Sequence, residues 1–426
     1  MKKVIFFCLI ILIAAVSSCK KDNPVVPPVE PPVVLKDTVT ISVERVTFRS
    51  IELNVQCSMN NSQYSLQLFR ELSGKDTLVA GYPIEVTDTT IIDDNNGNGL
   101  QLNTEYSYYA VTVDTTGELK DTSNIVTAAT LAATSHSYTW REFIIGEYGS
   151  SLSDVWGTDE NNIYAAGTVY INDTAYGVIK WNGVEWLPFK KNGGISAIYG
   201  FSYNDIWGAG GGVYHFNGNI WEDLTLKYPA FINNIEFRSV WGTSSSDMYF
   251  GSYWGKIIHW DGSNAEVMAV FPDTRIGDLY GLNHNFIIGV GNTGVVPSTV
   301  VRFNGSEWNI FEGIDFTNHL LASAYIVNRD EYYIGGAFSY RYFGGEWKAV
   351  PGNMYNIRGN KETGEIVGVG PGNTLVHFNG EDWYDFKNEL SQEYNALYGV
   401  FLTGNKIFAV GINATPVAKI FIGTKN

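Results

Sequence analysis

Two hydrophobic patterns divide the chain. Before residue 131 the apolar positions alternate. Ile51, Leu53 and Val55 fall on one side of a run with Glu52 and Asn54 between them, which predicts a strand with one buried and one wet face. The runs Val39–Val43, Ile51–Cys57, Tyr64–Phe69, Ile84–Val86, Thr89–Ile92, Tyr106–Val113 and Ile125–Ala129 predict a compact two-sheet sandwich over residues 36–131. From residue 136 onward, short β-branched and aromatic runs come in groups of four, separated by Gly, Asn and Asp. The stretch from Asp154 to Phe189 returns with drift from Ala197 and again from Ser239. A repeat of about 40 residues with four strands per unit predicts the blades of a β-propeller.

Two marks within the repeat count the blades. An aromatic-Gly head, or a relic of one, ends each innermost strand: Trp156-Gly157, Tyr199-Gly200, Trp241-Gly242, Tyr280-Gly281, Tyr325, Arg358-Gly359 and Tyr398-Gly399. An outermost strand of the form Trp-x-x-apolar follows a tight Asn-Gly-like turn at Trp186, Trp221, Trp308, Trp347 and Trp383, with Ala265 as a degenerate copy. Seven heads therefore have six outer strands after them. The missing one stands upstream, at Trp140 to Phe143. Pairing Tyr138–Ile145 with the last repeat would close the ring and remove two open sheet edges. The expected fold class is all-β: an immunoglobulin-like sandwich, then a seven-bladed propeller over 136–426 closed by strand 138–145.

The N-terminus changes the picture by adding an address. Lys2 and Lys3 precede an apolar run, Val4 to Val16, and then Ser17, Ser18 and Cys19, which makes residues 1–18 a secretory signal too short to span a bilayer comfortably. Val16-Ser17-Ser18-Cys19 resembles a bacterial lipobox. That resemblance implies a lipidated Cys19 and a membrane anchor, and Lys20, where an Asp would favour inner-membrane retention, implies the outer membrane. Residues 19–35 hold a Pro-rich linker, expected to be extended and fairly stiff. This start is similar to that of Bacteroidota lipoproteins, many of which face outward. With Cys8 in the signal and Cys19 lipidated, Cys57 alone remains, so no intrachain disulfide framework is available.

Charge and candidate chemistry exclude several functions. A net charge of −16 without a basic run argues against nucleic-acid partners, because phosphate contacts supply most of that affinity. The loop Asp93 to Gly99 lacks the alternating ligand spacing and closing Glu of an EF-hand and reads as an Asn/Asp/Gly turn. Lys180, His215, His259, Arg302, Arg341 and His377 recur at one position per repeat. Spread around a ring they cannot converge on one metal ion, and pairing with a neighbouring blade is expected instead. Neither a metal nor a cofactor is expected.

The irregular loops carry the binding expectation, since a scaffold does not fix them. They offer Tyr170 and Tyr176 (after Thr168), Tyr228 and Phe231, Tyr253 and Trp254, and Phe338 and Tyr340. Flat apolar rings with polar rims suit sugars or protein side chains.

Two further resemblances bear on function. Gly99 to Val111 resembles the fibronectin type III segment leading into its sixth strand, which puts Tyr106 in the corner-tyrosine position, although Leu102 stands where a Pro is usual. Val155-Trp156-Gly157-Thr158 and Val240-Trp241-Gly242-Thr243, with the Tyr that follows each, resemble the tectonin (tachylectin-1-like) repeat, whose propellers bind glycans and lipopolysaccharide. The expected function is a membrane-anchored extracytoplasmic binding protein for a glycan or a partner protein. The alternatives are a propeller hydrolase or lyase acting on polysaccharide, or a scaffold within an outer-membrane complex. No sialidase-type Asp-box or nucleophile motif supports the enzyme.

Overall fold

The computed structural model describes residues 38–58, 64–83, 88–232, 236–292, 298–311, 320–391, 393 and 395–426. The expected signal, Cys19, the Pro-rich stretch 19–35 and the expected strand Ile84–Val86 lie outside these.

Strands β1 (Thr38–Val46), β2 (Ile51–Ser58) and β5 (Asp88–Asp93) form one sheet of the sandwich. The facing sheet runs β4 (Lys75–Pro83), β3 (Ser65–Leu72), β6 (Glu105–Val113) and β7 (Leu119–Thr122), with β8 (Val126–Ala129) also on β6. Sequence patterning missed β4, which opens on Lys75, Asp76 and Thr77, and β7, whose residues are mostly polar. Ile51, Leu53 and Val55 meet Leu66, Leu68, Tyr106 and Tyr108 in the core. The Tyr106 hydroxyl accepts the Gln101 N–H at 3.0 Å, tying the preceding loop to β6.

Glu52 departs from the expected wet face. It is buried, 3.9 Å from Arg45, because that end of the sheet faces the second domain. Burial pushes its carboxyl above the usual range, with Arg45 opposing. The Asp93 loop is a turn with Asn95 and Asn96 at positive φ. Its Asp93 carboxylate is taken up by Arg70 at 2.9 Å and the Tyr108 hydroxyl at 2.9 Å.

The remainder is a ring of seven four-stranded antiparallel sheets. Their innermost strands are Ser151–Asp159, Ile195–Ser202, Phe237–Ser244, Arg275–Asn283, Leu321–Asn328, Asn356–Gly359 and Asn395–Thr403. Each touches the next, and the last touches the first. β9 (Tyr138–Ile145) is the outermost strand of blade seven, hydrogen-bonded antiparallel to Ala418–Lys425.

The heads explain their own composition. A Cβ on Gly281 would lie 2.2 Å from the Trp241 ring, and one on Gly200 2.7 Å from Trp156, so the aromatic of one blade rests on the glycine of the next. Blade seven breaks the expected register. Phe401, not Tyr398, stands opposite the second strand where Trp156 stands in blade one, so the head there is Phe401-Leu402.

The recurrent cation position also differs from expectation. His215 bonds Asp205 at 2.8 Å, His259 bonds Asp247 at 2.7 Å, Arg341 bonds Glu331 at 2.9 Å and His377 bonds Glu365 at 3.0 Å. These partners sit on or just before the second strand of the same blade, because antiparallel neighbours place the two positions side by side.

The sandwich is seated on blades five and six. Phe48 is buried against Phe378 and over Gly380, and the Asn328 amide donates to the Ser50 hydroxyl at 3.2 Å. The Arg45 guanidinium donates to the Val327 carbonyl. Gly97 of the sandwich turn lies against Gly344, an approach that no side chain would allow. All these propeller residues lie in turns, or at the strand ends beside them, on one face. The space left around Phe48 is about 10 Å³, room for about one water at most.

Candidate functional site

The opposite face stays clear. There the connections into each blade meet the loops between second and third strands: Tyr253 N–H donates to the Glu236 carbonyl, and Ala337 N–H to that of Leu320, both at 2.9 Å. The central channel opens on this face into a cavity of about 280 Å³.

A regular defect builds the mouth. In six blades the innermost strand has a β-bulge near its start, which skips Ser153, Ser196, Arg238, Gly277, Ala322 and Tyr398 in the pairing. Tyr355 holds the same place just before the strand of blade six. Each lies three residues before the head, and all line the cavity. A bulge re-aims one side chain out of the ladder, and here it turns one residue per blade toward the channel. Three of them, Arg238, Tyr355 and Tyr398, are large and exposed, and the rings of Tyr355 and Tyr398 lie nearly parallel, 6.4 Å apart.

Below the mouth, Trp156, Tyr199, Trp241, Tyr280 and Phe401 form aromatic walls. In four blades the residue two before the head clips neighbouring blades together. Asp154 accepts the Ile198 N–H at 2.9 Å, Asp278 that of Ala324 at 3.1 Å, Ser323 that of Ile357 at 3.0 Å and Asn356 that of Val400 at 3.1 Å.

Arg358 replaces the aromatic in the head of blade six and reaches across blade five to Asp278 at 2.9 Å. It also donates to Ser323 and to the Ala324 and Ile357 carbonyls. Burial alone would lower its pKa, but Asp278 and Asp154 hold it above the usual guanidinium range. Asp154 has no ion pair within 4.0 Å among the described residues. Burial raises its carboxyl to about 6, Asp278 adds to that, and Arg358 with the Ile198 and Val155 N–H groups opposes it.

Of the carboxylates that line this cavity, Asp278 is ion-paired with Arg358, and each Asp154 oxygen accepts one backbone N–H. Among the described residues, no group of three or more His, Cys, Asp or Glu is placed to hold a metal.

None of the eight loop aromatics named from sequence lines this cavity. Tyr253 and Trp254 come nearest. They flank an adjoining groove with Arg275, whose guanidinium lies 4.1 Å from the Tyr253 ring centre, and Trp254 is 60% exposed. Arg238 connects the two features, lining the mouth and lying 5.5 Å from the same Tyr253 ring.

Phe231 is fully buried against Phe237 and Phe250, and Tyr228 packs on Trp260 at 4.8 Å. Both belong to a connection, with one helical turn at Pro229–Ile232, in which Phe231 fills a gap between blades while Tyr228 stays half-buried. Tyr170 and Tyr176 stand on the long first-blade hairpin, while Phe338 and Tyr340 stand on blade five, away from the channel cavity. The sequence did contain a signal for the mouth: the residue three before each head varies from Gly to Arg and Tyr within an otherwise regular repeat.

No protein-family model and no curated protein matches the sequence. Among solved structures, YCF48 bound to D1 peptide superposes with a TM-score of 0.51 at 13% identity, over 69% of this chain and 97% of that one. YCF48 from Cyanidioschyzon merolae follows with a TM-score of 0.46 at 14% identity, over 66% of this chain and 98% of that one, too loose to add an argument. Identity this low speaks for the fold alone. The chain is an all-β protein whose larger part is a β-propeller similar in fold to YCF48.

Proposed function

We propose that this chain is a non-enzymatic recognition protein of the cell envelope whose propeller binds a segment of a partner protein at the channel mouth. The mouth itself carries the reading: a ring of re-aimed side chains, with Arg238, Tyr355 and Tyr398 exposed, around an open cavity on the face that the sandwich leaves clear. Tyr and Arg are the residue types that dominate protein-binding hot spots. The like-folded YCF48 bound to D1 peptide supports a peptide as ligand class.

The glycan reading has less support. The tectonin-like phrases centre on Trp156 and Trp241, which rest on glycines of the next blade as part of the scaffold, leaving exposed Trp254 as its best argument. In the proposed arrangement Cys19 carries a lipid in the outer membrane, the Pro-rich linker is a stalk, and the sandwich is a fibronectin type III-like spacer. The signal-like N-terminus, the two-sheet strand order and the Tyr106–Gln101 bond support this.

The test is crosslinking and capture of envelope proteins by the full chain and by Tyr355→Ala/Tyr398→Ala. Loss of two hot-spot rings should reduce capture of the partner by about tenfold or more. Equal capture by both proteins would refute the mouth as the site.

A further inference from the structure

Resting on that reading, we propose that the channel cavity receives a cationic side chain, lysine or arginine, of the partner segment, with Asp154 as its counter-charge and Trp156, Tyr199 and Trp241 as its walls.

Size is the first argument. The cavity of about 280 Å³ lies at the small end of the range of about 300–1,000 Å³ typical of ligand pockets, and it has room for an inserted side chain. The second argument is the lining. Aromatic faces attract cations through their quadrupole, and do so more strongly when water is excluded. Trp156 and Tyr199 stand with ring centres 6.4 Å apart and tilted by 46°, and Trp241 lines the cavity with them. The same chemistry is already present in this channel, where the Arg358 guanidinium lies 5.5 Å from the Tyr280 ring centre.

The unpaired carboxylate is the third argument. Arg358 is ion-paired with Asp278, and Arg238 at the rim with Glu236 at 3.0 Å. Lys361 is a further cation of the lining, at the first turn of blade six toward the sandwich end, where burial and Arg45 lower its pKa. Asp154 remains without an ion-pair partner among the described residues, and each of its oxygens, holding one N–H, keeps a second lone pair. The chain as a whole carries a net charge of −16, which steers basic segments toward it.

Asp154 also makes the interaction depend on pH. Its carboxyl, held up at about 6 chiefly by burial, is neutral in mild acid and charged at pH 7. Arg358 and Asp278 are the charged groups that face it from the other blades. Cation binding should therefore strengthen as pH rises from 5 to 7.

The experiment is selection of random displayed peptides against the full chain, wild type and Asp154→Asn. Asparagine is a fair replacement, because Asn356 makes the same clip in blade six. The expected result is enrichment of peptides with Lys or Arg at one fixed position. Changing that residue to norleucine should cost at least tenfold in affinity, with a similar loss for Asp154→Asn. Wild-type binding should rise several-fold between pH 5 and pH 7, a readout that stands even if the variant folds poorly. Enriched peptides without a fixed cation, or an Asp154→Asn protein that keeps the preference, would overturn the cationic pocket and leave the protein-binding reading standing. A wild type that enriches no peptide at all would overturn both.

Discussion

Glu365 draws three parts of the chain to one buried carboxylate. Thr134 donates to it from the segment between sandwich and propeller at 2.6 Å, His377 from blade six at 3.0 Å and Lys425 from the last strand. His377 in turn meets His136 at 2.9 Å, and His136 meets Asp382 at 3.0 Å. Burial pushes the Glu365 carboxyl up, but the bonds from His377, Lys425, Thr134 and Thr363 outweigh it and hold the group at about 2, below its usual 4.5. A depressed carboxylate contributes stability that is present above pH 4.5 and lost as pH falls toward 2. A shift of this size corresponds to about 3 kcal/mol. Glu365→Gln is expected to lower unfolding free energy by about that much at pH 7, with the difference shrinking as pH falls through 4.5 toward 2. Denaturant titrations at a series of pH values check this, and a pH-independent difference would remove the electrostatic account.

At the level of elements, the turn between β1 and β2 decides whether the two domains move as one. Phe48 from that turn is 4% exposed and belongs to the core of blade six, with Tyr325, Ile366 and Phe378. A buried Phe truncated to Ala costs about 3–5 kcal/mol. Phe48→Ala is expected to uncouple sandwich and propeller, splitting one calorimetric transition into two. A single transition with an unchanged midpoint would show that Arg45, Ser50 and Gly97 suffice to hold the interface. The seat commits one propeller face and leaves the other for the proposed partner.

For the whole molecule, stability rests on closure. β9 gives blade seven its fourth strand, and Trp140 and Phe143 from it pack into the cores on either side of the last strand. Without it, the Ala418–Lys425 strand would present an unpaired edge. Deleting residues 136–147 is expected to lower the melting temperature of the propeller as a unit rather than fray one blade, and a truncated chain with the wild-type melting temperature would refute this.

The amino-acid order by itself determined the all-β class and the blade repeat. Both follow from local physics: period-two alternation, positive-φ turn residues and aromatic-glycine heads recur whatever their neighbours. It also displayed the outer-strand deficit that β9 occupies. The site was hidden because it depends on register. Whether Tyr398 is a head or a bulge turns on which residue the ladder skips, and that is set when Phe401 takes the place opposite Phe408. Loop aromatics such as Phe231 looked available in sequence, yet a gap between blades had to be filled and took that ring. Arg358 and Asp278 are 80 residues apart, and only ring closure brings one across blade five to the other, leaving Asp154 as the channel carboxylate without an ion pair among the described residues.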